Sequence, residues 1–364
     1  MSRTMNLFPA LEKKYGKDQQ SALKAQHLAH EISFGPIIFQ VSRLMVKFGI
    51  LQMLIDSENG LTMNEITDKS GLSEYAVKVL VESSLTIGTI LYKDGRFIIS
   101  KAGWFLQNDP LVRVDMDFNH DVNYLGWFKL EESLLNGKPE GLKVFGPWPT
   151  IYEGLSQLPE QIRKSWFGFD HYYSDNSFDE ALKIIFDDNI KTLLDVGGNT
   201  GRFALRCVAF NKEVNVTIMD LPQQLEMMKN NIKGHEGAER INGHGVDLLD
   251  EKVPFPTGFD AIWMSQFLDC FSEEQVISIL SRAAKSMSKR SSLYIMETLW
   301  DRQRFETAAY CLTQISLYFT ALANGNSKMF HSDDLFACIE KSGLKIEHIS
   351  DGLGKGHSLI KCII

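Results

Sequence analysis

The sequence predicts an α/β chain: a parallel sheet covered on both faces and finished by one antiparallel strand, behind a mainly helical N-terminal region of winged-helix pattern. Three observations carry this. From Lys191 onward, short β-branched runs alternate with helical patterns, which means parallel strands joined by crossovers. The last two strands are separated only by the stretch around Gly352-Leu-Gly354-Lys-Gly356, too short for a parallel crossover, so the final strand should run antiparallel. Before residue 100, two short helices are followed by a hairpin.

Taken in order, Phe34 to Asp56 (FGPIIFQVSRLMVKFGILQMLID) is apolar at helical spacing and nearly apolar all round, which predicts a buried or interface helix. Thr62-Met-Asn-Glu65 is a capping box opening a short helix that Gly71 ends. Ser73 caps a longer one ending near Gly88. In ILYKDGRFIIS, Asp94-Gly95 joins two short strands. A winged helix suggests DNA binding, but the helix SEYAVKVLVESSLTIG carries Lys78 against Glu74 and Glu82, too little positive charge to neutralise phosphate. A dimerisation module is the better expectation. Residues 110 to 185 read as mainly helical and rich in aromatics. The strands that follow are read at KTLLDVGG, NVTIMD, INGHGVD, FDAIWMSQ, SSLYIMETL, LKIEHISD and HSLIKCII.

Composition narrows the function classes. The 364 residues exceed one typical domain, and the 44% hydrophobic and 23% charged balance is that of a globular protein. A net charge of -8 argues against nucleic acid or an anionic membrane as partner. The opening MSRTMNLFPALEKKYGKDQQ has no apolar leader core, and no apolar run approaches the roughly 20 residues that span a bilayer. Five scattered cysteines (Cys207, Cys270, Cys311, Cys338, Cys362) form no CxxC pair and read as thiols in a reducing compartment, so the cytoplasm is expected. No histidine spacing suits a metal, and no metal is expected.

The sharpest signal is Leu193-Leu-Asp195-Val-Gly197-Gly198-Asn-Thr-Gly201-Arg202, a strand ending in a glycine-rich turn that opens a helix. Such a turn lies outside the strands' carboxyl ends, where α/β sheets bind ligands. A dinucleotide fingerprint needs G-x-G-x-x-G, but Val196 stands where the first glycine belongs. Asp195 would repel a pyrophosphate and suits an ammonium. S-adenosylmethionine (SAM) carries an α-ammonium and a sulfonium and no phosphate, so the charge favours SAM over a nicotinamide dinucleotide. Asp220, in MDLP about 25 positions on, can accept both ribose hydroxyls, and Asp247, in GVDLL, can accept the adenine amino group. Each could instead be a helix N-cap.

These residues resemble the small-molecule O-methyltransferases of plants and bacteria, which act on phenols, hydroxyindoles and aromatic polyketides. DVGGNTG resembles that family's SAM loop, MDLP its ribose-binding strand end, and GVDLL the segment usually seen as GDMF. WMSQFLDCFSEEQ resembles its LKHVLHDWSDEE segment, and the winged helix its dimerisation domain. The resemblance implies a Rossmann-like class I methyltransferase domain of seven strands at 186–364. It also implies a winged-helix dimerisation domain at 1–110, a helical connector and substrate lid at 111–185, and a homodimer. It assigns cofactor contacts to Asp195, Gly197, Gly198, Gly201, Asp220, Leu221, Asp247, Leu248, Ser265 and Gln266.

The departures bear on mechanism. Where the family has a catalytic histidine, this chain has Asp269, followed by Cys270 and Phe271; its usual SAM-contacting lysine becomes Ser265. Glu297 matches the first of two glutamates that flank the histidine, and the second is absent from Gly325-Asn-Ser-Lys-Met329-Phe330. Asp269 is then a base raised by burial, or a group that only orients a hydroxyl, or a bystander to attack by a ring carbon. Bacteriochlorophyllide methyltransferases, which methylate carbon, also lack the histidine. Alternatively, Asp269 merely caps the helix opening at Ser272-Glu273-Glu274. His171 is a substitute base to weigh beside Asp269 and Glu297. Substrate contacts are expected from Tyr172, Trp300, Tyr310, Phe319, Asn324 and Met329, each of which could equally be packing. The expected function is SAM-dependent methylation of a small aromatic acceptor, on oxygen or on an activated ring carbon; a non-catalytic SAM-responsive regulator is the rival.

Overall fold

A computed structural model describes residues 14–187 and 189–364, so most of the polar opening stretch lies outside the described residues. Two compact units divide at Met116/Asp117.

In the first unit the long helix runs Ala22–Lys47, with Ser21 accepting from the Lys24 amide at 3.4 Å. It starts upstream of the expected Phe34 because the intervening residues, Ala, Leu, Lys and Gln among them, are good helix formers. It also ends early: Gly49 sits at φ +73, and a second helix, Ile50–Ile55, takes the rest of the apolar run. The long helix is mostly not buried; Ile32 is 70% exposed, with Phe34 and Ile37 at 56%, while Ser42, Met45 and Val46 are its buried members. The capping box forms as read, with Glu65 N bonding to Thr62 Oγ1 at 3.3 Å and Thr62 N to Glu65 Oε2 at 2.7 Å. Helices Met63–Ser70 and Glu74–Ile87 end at the left-handed glycines Gly71 and Gly88. Strands β1 (Ile90–Lys93) and β2 (Arg96–Ile99) meet at Asp94 (φ 51) and Gly95 (φ 76), the paired positive φ of a type I′ turn. Ile50, Leu51, Leu54, Ile66, Val77 and Val81 are core.

The second unit holds all seven expected strands: β3 (Thr192–Val196), β4 (Asn215–Asp220), β5 (Ile241–Gly245), β6 (Ala261–Ser265), β7 (Ser292–Glu297), β8 (Lys345–Leu353) and β9 (His357–Ile363). Their order is β5-β4-β3-β6-β7-β9-β8. The pairs among β3 to β7 are parallel, and β9 is antiparallel to both its neighbours, as the short connection requires. Side chains alternate between two cores: Leu194, Val196, Ile262 and Met264 enter one, Leu193, Ala261 and Trp263 the other. Burial on both faces is why these strands read as near-continuous apolar runs. Strand order reverses at β3, between β4 and β6, which places a ligand crevice outside its carboxyl end. A third cluster, including Phe118, Leu142, Ile151, Trp166, Leu312 and Phe319, comes from the helical stretches before β3 and between β7 and β8. FGFDHYYSDNSF lies in the middle of one 26-residue helix, Glu160–Ile185.

Candidate active site

The turn after β3 is shaped by what its glycines leave out. At Gly197 (φ +72) a Cβ would lie 2.3 Å from the Phe267 ring. At Gly198 a Cβ would lie 2.7 Å from Asp195 Oδ2. Gly201 (φ +79) closes the turn and starts the helix Arg202–Phe210. The chain thus folds back against its own strand end, holding the Asp195 carboxyl inside. Asp195 is 2% exposed, and its Oδ2 has no hydrogen-bond partner. Burial, with the neighbouring charge of Asp220, raises it to about 8. Asp220 is raised by burial to about 6, although it accepts the Asn199 amide at 2.8 Å and the Leu221 amide at 2.7 Å. Asp247 lies two residues past β5, where its Oδ1 accepts the Leu249 amide at 2.9 Å. The Leu221–Asp220 and Leu249–Asp247 bonds are local strand-end turns, whereas the Asn199 bond ties the glycine turn to the end of β4; the helix Pro222–Ile232 that follows β4 has no side-chain cap.

These carboxylates open on a cavity of about 640 Å³. Of the expected cofactor residues, Asp195, Gly197, Gly198, Asp220, Leu221, Asp247, Leu248, Ser265 and Gln266 line it, and Gly201 does not. Ser265 Oγ and Gln266 Oε1 are buried without partners, and Gln266 sits at φ +45. A buried carboxyl oxygen without a partner, a glycine cradle and further strand-end acids fit a phosphate-free adenosyl ligand bearing an ammonium. They do not fit a pyrophosphate.

The other end of the cavity is aromatic, with Phe118, Trp148, Tyr152, Trp166, Phe169 and Phe319 on its wall. Asp269 lines the cavity too, 3% exposed, in the short turn Leu268–Cys270. Burial raises it to about 6, and Cys270 Sγ lies 3.5 Å from its Oδ1. Asp269 does not cap the next helix: Ser272 does, in a capping box with Gln275. Glu297 does not line the cavity. Its Oε1 accepts the amides of Phe267 (3.0 Å) and Leu268 (2.9 Å), holding the turn that carries Asp269. Burial and the nearby Asp269 raise the Glu297 carboxyl well above its usual range. His171 lines the cavity with its Nε2 unpartnered, and burial lowers it to about 4.

Phe319 and Met329 are on the wall; Tyr172, Trp300, Tyr310 and Asn324 are not. Tyr172 packs under Lys355, and Trp300 packs edge-on against His331. Tyr310 is 65% exposed. Asn324 donates to the Cys270 carbonyl and to Ser327 Oγ, which ties the Gly325 turn to the segment bearing Asp269. Sequence reasoning missed Trp148, Tyr152, Trp166, Phe169, Asp170 and Arg202. For three of them a signal existed: Trp166, Phe169 and Asp170 stand three and four apart, on one helix face, whereas Tyr172 points elsewhere.

Comparison with known proteins matches a Dimerisation2-like domain at residues 26–97 and an O-methyltransferase domain at residues 127–336, more than half of the chain. The chain is 22% identical over 295 residues to L-tyrosine C(3)-methyltransferase of Streptomyces lavendulae, covering 80% of this chain and 79% of that one. It is 29% identical over 231 residues to norreticuline-7-O-methyltransferase of Papaver somniferum, covering 62% and 60%. The solved structure of mitomycin 7-O-methyltransferase MmcR shares the fold, with a TM-score of 0.69 at 19% identity over 94% of this chain and 98% of that one. By the domain match, and with a site built for an ammonium-bearing adenosyl ligand, the chain belongs to the O-methyltransferase domain family and is a SAM-dependent methyltransferase.

Proposed function

We propose that the chain methylates a small aromatic acceptor, with a phenolic oxygen favoured. The observation that carries this is one cavity lined by the strand-end acids, by an aromatic cluster and by the buried carboxyl of Asp269. In this reading Asp195 holds the cofactor's ammonium, Asp220 its ribose hydroxyls, and Asp247 with Leu248 its adenine. When bound, SAM would supply an electrophilic methyl to a nucleophile in line with its sulfur, the neutral thioether being the leaving group. Phe319, Met329 and the aromatic wall hold the acceptor ring, so that positioning supplies much of the acceleration. Asp269 Oδ2 takes the phenol proton as the oxygen–carbon bond forms, and gives it up to water afterwards. Glu297 fixes the turn from behind. His171, held to about 4, is a weaker proton acceptor than Asp269 at about 6.

That same weakness supports a second reading. Moving a proton from a phenol near 10 to a carboxyl near 6 is uphill by roughly 5 kcal/mol. Attack by a ring carbon needs no such transfer first, which favours C-methylation wherever the acceptor ring is sufficiently electron-rich. Incubation with methyl-tritiated SAM and a panel of phenols and hydroxyindoles, followed by NMR of the labelled product, tests both. Label on oxygen supports the first and label on carbon the second. Binding of S-adenosylhomocysteine (SAH) with no transfer to any acceptor refutes both.

Four further inferences accompany this one. Residues 1–110 form a dimerisation domain, 111–185 a connector and substrate lid, and 186–364 the catalytic domain. The exposed apolar Leu28, Ile32, Phe34 and Ile37 support a homodimer through the first helix. The five free cysteines support a cytoplasmic setting, and the acidic Glu74–Ile87 helix argues against nucleic acid. No helix among the described residues is long and apolar enough to cross a membrane.

A further inference from the structure

The acceptor end of the cavity carries more negative charge than its own residues neutralise. Asp170, on the Glu160–Ile185 helix, and Asp269, from the turn after β6, both line it. Among the described residues no donor bonds to the Asp170 carboxyl, and a weak thiol is the side-chain donor to Asp269. Among the described residues on the wall, Arg202 is the only lysine or arginine. It is already committed: its Nε donates to Asp175 Oδ1 at 3.1 Å and its Nη2 to Oδ2 of the same carboxylate. His171 Nε2 lies 3.9 Å from Asp170 Oδ2, too far for a hydrogen bond, and it is neutral at pH 7. Burial and the charges of Asp269 and Asp175 push Asp170 up to about 7, against the smaller opposing pull of Arg202. Trp166, one turn before Asp170, and Phe169, its immediate neighbour, add aromatic faces, which attract cations.

We infer that the acceptor is an aromatic molecule that also carries a protonated amine, and that Asp170 binds this ammonium on the side facing Asp269. The inference rests on the methyltransferase reading and adds the charge of its substrate. A cation there offsets the repulsion between the two carboxyls. An uncharged acceptor leaves Asp170 to be neutralised by a proton, and an anionic one adds to the surplus. Asp170 is thus a specificity residue, distinct from the carboxyl assigned to the acceptor proton.

Calorimetry on the full chain saturated with SAH tests this with matched phenols: tyramine, tyrosol and 4-hydroxyphenylacetate, and the fused-ring pair 6-hydroxytetrahydroisoquinoline and 6-hydroxytetralin. In at least one set the amine should bind about tenfold more tightly than its uncharged partner, with the acid weakest. Asp170→Asn should bring that ratio within about threefold, and Asp170→Glu should keep it. The inference is overturned if uncharged phenols bind as well as amines in both sets, or if the acid binds best. It also fails if nothing binds while SAH does, or if the preference survives in Asp170→Asn. Failure to bind SAH at all is a different result, and it sinks the cofactor reading first.

Discussion

Replacing Asp195 with asparagine separates two effects of opposite sign. The carboxyl is 2% exposed, lacks a partner on Oδ2, and is held at about 8. Because this folded value lies above the ordinary 3.8, the group favours folding fully below about pH 4. That contribution is lost progressively as pH rises to about 8. At pH 7 the gap of roughly three decades, at about 1.4 kcal/mol each, amounts to a cost on the order of 4 kcal/mol. Asparagine avoids that cost, although its unpartnered buried amide takes back about 1–3 kcal/mol. Unliganded Asp195→Asn should therefore be more stable than the parent at pH 7 by about 1–3 kcal/mol, and its stability should fall less between pH 5 and pH 8. Cofactor affinity moves the other way. Removing one partner of a buried charge pair costs about 2–5 kcal/mol, a loss of roughly thirtyfold to several thousandfold for SAH. Urea melts from pH 5 to 8.5, with and without SAH, read the first effect, and calorimetry reads the second. An SAH affinity within threefold of the parent, or an unliganded variant less stable at pH 7, would refute the electrostatic argument.

Gly197→Ala puts a methyl 2.3 Å from the Phe267 ring at φ +72 and should cost more than about 2 kcal/mol in denaturant melts; adding Phe267→Ala should recover part of it. If Asp269 accepts the acceptor's proton, kcat should rise with pH through about 6 and then level, since the base must be ionised. Asp269→Asn should then lower kcat by about a hundredfold or more, whereas a pH-independent parent rate would leave Asp269 only an orienting role. Thr62→Ala removes a two-way capping box and should cost about 1 kcal/mol in thermal melts while SAH affinity stays unchanged.

The sheet was readable because its signals are local. The central strands β3, β6 and β7 are short apolar runs bounded by turn residues, and the short Gly352–Gly356 connection alone sets the direction of the last strand. The cofactor end was equally legible, since a strand-end acid and the glycine turn that buries it lie within seven residues of one another. The acceptor end was not. Its wall draws Phe118, Trp148, Trp166 and Phe319 from segments separated by up to two hundred positions, and no sequence window relates them. Within one helix the face is set by register, so Tyr172 falls off the wall while His171, also expected, and Asp170, not expected, lie on it. The first helix was misplaced for another reason: apolar periodicity marks a surface to be covered, whereas Gly49 and the polar helix formers upstream decide where the helix begins and ends.

What distinguishes this site is the sign of its buried charge. Asp170, Asp195, Asp220 and Asp269 are pushed by burial to about 7, 8, 6 and 6, so at neutral pH the unliganded cavity holds protons that ordinary carboxyls would have released. A histidine in place of Asp269 could carry positive charge into the acceptor end; a carboxyl cannot, and it shifts complementarity towards cationic acceptors. The cofactor's ammonium discharges one end of the cavity, and on the present reading the acceptor discharges the other. Each cation displaces protons as it binds, so the ionisation that makes Asp269 able to accept a proton depends on what else occupies the cavity. Substrate charge and catalytic competence are therefore coupled through the same few carboxyls, and exchanging histidine for aspartate changes which acceptors can be used as well as how a proton leaves them.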